Sequence, residues 1–258
     1  KGKVPDWTVT KGSAFRQKAE REFDGKQFEA EKPDELKLDY LTPFTIMARI
    51  KPETENGAIL TRTEDYAEGA GHALYVMGGH LRLHVIYRWT DIGLRVETED
   101  KIELHKWQNV AATYDGKRYA SGVKLYVDGK PQKVRILFDQ LNWPMDSKEP
   151  IRVGAGGGLR FNGAIADARM YTRALTPDEV SAVGLTESLE EISKKKPEER
   201  TAAELAKLRL AFLETALPPK IRQVKDRMEA AQLERDKYDD SLPTVMVMKD
   251  EPGLRKTY

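Results

Sequence analysis

The stretch from His84 to Asp91 gathers side chains that can do chemistry: His84, Tyr87, Arg88, Trp89 and Asp91. A tryptophan face packs against the C–H side of a sugar ring, and planar polar groups such as a guanidinium or carboxylate exchange hydrogen bonds with its hydroxyls. Trp89-Thr90-Asp91 falls at a strand end, where a loop can present it, because Asp91 and Gly93 are turn formers. Trp143, in Leu141-Asn142-Trp143-Pro144, offers a second platform from another loop. The plainer reading of both tryptophans is packing at an edge of the fold.

Other groups along the chain suit different chemistry. Glu97 and Glu99 share a strand face, and paired carboxylates can flank a glycosidic bond. The ordinary reading is a solvated strand end. His80 and His84 also share a face, with His72 nearby, but no third ligand stands at metal-binding spacing. Gly154-Ala155-Gly156-Gly157-Gly158 lacks the following helix and Lys-Ser/Thr of a phosphate cradle. The chain has no cysteine, which excludes disulfides, thiolate metal sites, Cys nucleophiles and c-type haem attachment within it.

These residues need elements to hold them. From about residue 20 to 172 apolar residues alternate with polar ones between Gly, Asp, Asn and Pro breaks, the pattern of short antiparallel strands. Phe44, Ile46, Ala48 and Ile50 share one face, and Gly78-Gly79 and Asp128-Gly129 read as hairpin tips. The expectation is a two-sheet sandwich of roughly ten strands. After Leu175 the pattern turns helical. Thr176-Pro177-Asp178-Glu179 is a capped helix start, and Thr201 with Glu204 forms another box. Stripes at Leu205, Leu208 and Phe212, then Ile221, Val224, Met228, Ala231 and Tyr238, suit an antiparallel helical hairpin or short coiled coil. Leu242 to Met248 alternates like a strand.

The charge balance, 43 Lys and Arg against 42 Asp and Glu, gives no net field for a nucleic acid or an anionic membrane. No apolar run is long enough to span a bilayer as a helix. The first residue is Lys1 rather than Met, and the expectation is a segment of a longer polypeptide.

Phe44-Thr45-Ile46-Met47-Ala48-Arg49-Ile50-Lys51-Pro52, Trp107 to Gly116, Val123 to Gly129 and Phe161 to Tyr171 occur in that order, followed by Arg173-Ala174-Leu175-Thr176. Together they resemble the laminin-G-like modules of the concanavalin A-like lectin/glucanase superfamily. The resemblance implies a jelly-roll β-sandwich over 20–184 and a non-catalytic binding module, with carbohydrate as the ligand. The Glu-x-Asp-x-Glu run of the superfamily's glucanases is missing. Related modules hold a structural Ca²⁺ at positions matching Asp24 and Asp167, but Ala166 stands where a further acid is expected, so no cofactor is assigned. A narrower match, through Tyr119 to Gly122, the His84-to-Trp89 strand, the helices and Leu242 to Met248, resembles the central region of multidomain planctomycete proteins associated with cytochrome c. It implies an exported setting, with 1–19 as linker or the end of a preceding domain, 185–241 as a charged helical hairpin, and 242–258 as the start of a truncated domain. Its partners are then a glycan or the flanking domains, and the alternative is a spacer or docking role.

Overall fold

The computed structural model describes residues 13–242, apart from 27, 32–37, 67–68 and 145–146. The strand expected at Leu242 to Met248 and the downstream domain start thus lie outside the described residues after Leu242.

In chain order the strands are β1 (Ser13–Gln17), β2 (Arg21–Asp24), β3 (Glu29–Glu31), β4 (Phe44–Pro52), β5 (Gly57–Thr63), β6 (Gly71–Met77), β7 (His80–Arg88) and β8 (Ile92–Lys101). They continue as β9 (Gln108–Tyr114), β10 (Val123–Val127), β11 (Lys130–Pro131), β12 (Val134–Gln140), β13 (Ile151–Val153), β14 (Ala155–Gly156), β15 (Leu159–Arg160) and β16 (Asn162–Tyr171). Two seven-stranded sheets form an antiparallel jelly-roll sandwich. Sheet A runs β1-β16-β4-β9-β10-β11, with β2 also on β16; sheet B runs β12-β8-β7-β6-β5-β13-β3. The segment expected as a linker contributes β1, which pairs with β16 through Arg16 opposite Arg169.

Alternation builds the core between the sheets. Phe44, Ile46, Ala48 and Ile50 enter it from β4 as expected, facing Leu74 and Val76 of β6, Leu81, Leu83 and Val85 of β7, and Leu94 and Val96 of β8. Each fully buried side chain of this size contributes about 1.5–3 kcal/mol of transfer free energy. His72 is also fully buried, its ring edge-on to Phe44 at 5.1 Å, and burial followed by the Arg62 charge lowers its pKa to about 3. It is a neutral core residue, separate from His84.

The outer face of sheet A is closed by helix α1 (Pro177–Gly184), which packs Val180 and Val183 onto Met47, Ala111, Tyr126, Tyr171 and Leu175. Its start is the expected capping box of Thr176 and Glu179. The β10–β11 tip carries Asp128 at φ 49° and Gly129 at φ 72°, a turn with both central residues left-handed. Ser181 of α1 donates to the Gly129 carbonyl at 2.8 Å, tying helix to hairpin.

Helices α2 (Leu189–Lys194), α3 (Ala202–Thr215) and α4 (Pro219–Ser241) follow. Two compact units divide at Ala211 and Phe212, so α1, α2 and most of α3 share the sandwich's unit rather than starting a separate one at 185. On α3 the buried residues are Glu204, Lys207 and Ala211, whereas Leu205 and Phe212 of the expected stripe are exposed. Lys207 Nζ donates to the carbonyls of Leu185 and Glu187, and Glu204 receives Lys195, so the inward face works by satisfying polar groups. Ile221, Val224, Met228, Leu233 and Tyr238 of α4 are exposed.

Candidate binding site on the outer face of sheet B

The strands that send Leu83 and Val96 into the core send their alternate residues to the other face of sheet B. Cross-strand register lines these up in two adjacent rows. In one, His84 lies opposite Ala73 on β6 and Arg95 on β8, and Arg95 lies opposite Phe138 on β12. In the next, Arg82 lies opposite Tyr75 and Glu97, and Glu97 lies opposite Arg135.

Glu97 is 1% exposed, not the solvated strand end its sequence context suggested. Arg82 Nε donates to one carboxylate oxygen at 2.8 Å and Arg135 Nε to the other at 2.9 Å. Burial pushes the Glu97 pKa up, but the bonds from Arg135 and Arg82 outweigh it and hold the group below its ordinary value. It is therefore a fixed anion with both oxygens engaged.

His84 is 4% exposed and forms the floor of the site. Its ring lies 5.1 Å from Tyr75 and 5.6 Å from Trp89. Burial, followed by the charges of Arg82 and Arg95, lowers its pKa to about 3, so it is neutral in ordinary buffers. Its Nε2 has no hydrogen-bond partner among the described residues. The Arg95 guanidinium sits 4.4 Å from the Trp89 ring centroid and 4.7 Å from that of Phe138, and its buried Nε is likewise unpartnered. Burial, then Arg82, disfavours this cation.

The sequence-level candidates separate into groups. His84 and Trp89 come together. Strand β7 ends at Arg88, so Trp89, Thr90 and Asp91 make the turn into β8. Arg88 spends its fork on Asp91, with both bonds at 2.5 Å, and its side chain is 60% exposed. Trp143, 54% exposed, stands beside Tyr87 with centroids 6.3 Å apart, a second aromatic pair with no ring contact to Trp89 among the described residues. The guanidinium that meets Trp89 is Arg95. Arg95, Tyr75 and Phe138 escaped sequence reasoning because only cross-strand register brings them to His84; Glu97 was read as a solvated strand end, and Arg82, two residues from His84 on β7, was overlooked.

The calcium positions do not fit an ion. Asp167 sits in a β-bulge of β16 at φ 49°, and its carboxylate accepts from Arg16 Nε at 2.8 Å and Arg169 Nε at 2.9 Å. Two guanidiniums thus occupy the place a cation would need. Asp24 pairs along the strand with Asn162, five residues from Asp167 or roughly 16 Å of extended chain, too far to share one ion. No group of three or more His, Cys, Asp or Glu able to hold a metal occurs among the described residues.

Residues 24–181 match the family described as the concanavalin A-like lectin/glucanases superfamily. The chain belongs to this superfamily. Solved structures agree on the fold. The CBM40 of the Ruminococcus gnavus IT-sialidase, bound to α2,3 sialyllactose, is 17% identical with a TM-score of 0.54, covering 67% of this chain and all, 100%, of that one. The same module bound to α2,6 sialyllactose is 14% identical at TM-score 0.51, covering 67% and 100%. No curated protein matches the sequence. Among the described residues no helix is long and apolar enough to cross a membrane.

Proposed function

We propose that the sandwich is a non-catalytic carbohydrate-binding module whose ligand rests on the outer face of sheet B, against Trp89. The observation that carries this reading is the Trp89 ring, partly exposed and in contact with both the His84 ring and the Arg95 guanidinium. A ring packed in this way stacks on a sugar with little further ordering cost. The neighbouring carboxylate, Glu97, is ionised and saturated by two arginines, so it has no proton to give a leaving group. We further read the setting as an exported, multidomain parent of the planctomycete cytochrome-c-associated kind, from the family resemblance.

The test is a glycan-array screen followed by calorimetry of Trp89→Ala. Losing a stacking tryptophan costs about 1–3 kcal/mol of affinity. Unchanged affinity with the fold intact moves the site to the Tyr87–Trp143 pair. A second reading, docking of a flanking domain, is favoured by one feature: Ile221, Val224 and Met228 are exposed on α4 at helical spacing.

A further inference from the structure

Of Arg82, Arg88, Arg95 and Arg135 on sheet B and its β7–β8 turn, one has no ionic partner. Arg82 and Arg135 share Glu97, and the carboxylate has no lone pair spare for a third guanidinium of comparable geometry. Arg88 is matched by Asp91 on the neighbouring turn. Arg95 has ring contacts only: no hydrogen bond or ion pair to it occurs among the described residues. A partly buried guanidinium held by ring faces alone has hydrogen-bonding capacity left over, which a ligand can complete. Next to it, the buried His84 Nε2 is also unpartnered, so a charged and a neutral polar group are both unsatisfied at the same point in the sheet.

Resting on the carbohydrate reading above, we propose that Arg95 selects an acidic sugar, one whose ring carries a carboxylate. The sugar ring stacks on Trp89, and its carboxylate accepts from the Arg95 guanidinium. Several features favour a carboxylate. The guanidinium lies over Trp89 and Phe138, so its π faces are in part taken and its N–H edge is what remains to offer. Only the Nε of Arg95 is both buried and unpartnered, so the two Nη groups form the end that can meet a planar carboxylate. Arg82 and Arg135 flank the same rows and add positive potential that a neutral sugar does not use.

The experiment uses the full chain and matched pairs of sugars: trigalacturonate against galactotriose, and 3′-sialyllactose against lactose. A sulfated lactose serves as a tetrahedral anion. Calorimetry at low salt is expected to show at least one carboxylate member binding on the order of tenfold or more tighter than its neutral partner. Arg95→Met is expected to abolish that preference while leaving the affinity for the neutral member within about twofold. A preference that survives the substitution overturns the assignment to Arg95. Equal affinity for acidic and neutral members overturns the acidic selectivity and leaves the carbohydrate reading standing. Tighter binding of the sulfated sugar than of either carboxylate overturns the carboxylate assignment. Absence of binding by every sugar overturns the carbohydrate reading and the selectivity with it. If Arg95→Met fails to fold by circular dichroism, the paired comparison on the unaltered chain still decides.

Discussion

The outer faces of the two sheets obey the same alternation and have opposite fates. Sheet A is sealed: α1 lays Val180 and Val183 over Met47, Tyr126 and Tyr171, and its buried arginine, Arg169, is held by Asp167 and by the Tyr171 hydroxyl at 3.3 Å. Sheet B keeps Arg95 with aromatic faces and no counter-ion among the described residues. Both arginines sit on strands of the same sandwich. The difference is that one was given an internal partner and the other was not. The paired arginine belongs to the closure of sheet A, and the unpaired one is the group the proposal above assigns to a ligand.

Removing the partner on the sealed side is the strongest way to test this contrast. Asp167→Ala leaves Arg169 buried beside Arg16 with no counter-charge, and is expected to cost about 3 kcal/mol in urea denaturation. A loss below about 0.5 kcal/mol would mean that Asp167 contributes no more than a surface pair does.

Acid asks the same question of several pairs at once. Asp167, Glu97 and Glu204 all have folded pKa values below their ordinary ones: the first two because arginine hydrogen bonds outweigh the opposing effect of burial, and Glu204, lowered to about 2, chiefly through Lys195 and the Thr201 N–H. A depressed carboxylate contributes stability that is fully present above its unfolded value, about 4. That stability drains as pH falls through the folded value. The melting temperature is therefore expected to hold above about pH 5 and to fall progressively towards pH 2. A flat profile across that window would remove the carboxylate–guanidinium pairs from the stability account.

Gly129→Val attacks the closure of sheet A from its hairpin. A Cβ there would lie 2.9 Å from the Ser181 Cα, in a left-handed backbone. The expected cost is about 1–3 kcal/mol, read as a lowered melting temperature. The smallest effect belongs to Arg88→Ala. Its ion pair with Asp91 is exposed, so the melting temperature should barely move, and sugar affinity should stay within twofold if Arg95 is the working cation. A tenfold loss of affinity would return the site to Arg88.

Much of the fold was readable because local pattern and tertiary role coincide. Phe44, Ile46, Ala48 and Ile50 alternate and are core; Asp128-Gly129 and Thr176 to Glu179 are turn and cap by their own chemistry. The site was readable only in part, through His84 and Trp89. Counting back from the β7–β8 turn pairs Arg88 with Ile92, which would set His84 against Val96. A register shift between Ile86 and Arg88 sets it against Arg95 instead. Strand β12 was missed because Val134 to Gln140 breaks period two at a bulge. The stripe on α3 misled because its inward face is Glu204 and Lys207, charged residues buried through bonds that periodicity does not reveal.

That bulge has an evolutionary consequence. Among the described strands β12 is an edge, hydrogen-bonded to β8 alone, and Leu137 is the extra residue that keeps Arg135 and Phe138 both aligned with the β8 rows. Sliding β12 by a further residue would bring Asp139 opposite Arg95, handing the cation an internal partner and silencing it. Such a slip disturbs one ladder and leaves the core strands untouched. The pairing of Arg95 can thus change by the gain or loss of single residues at one margin, without renegotiating whether the protein folds.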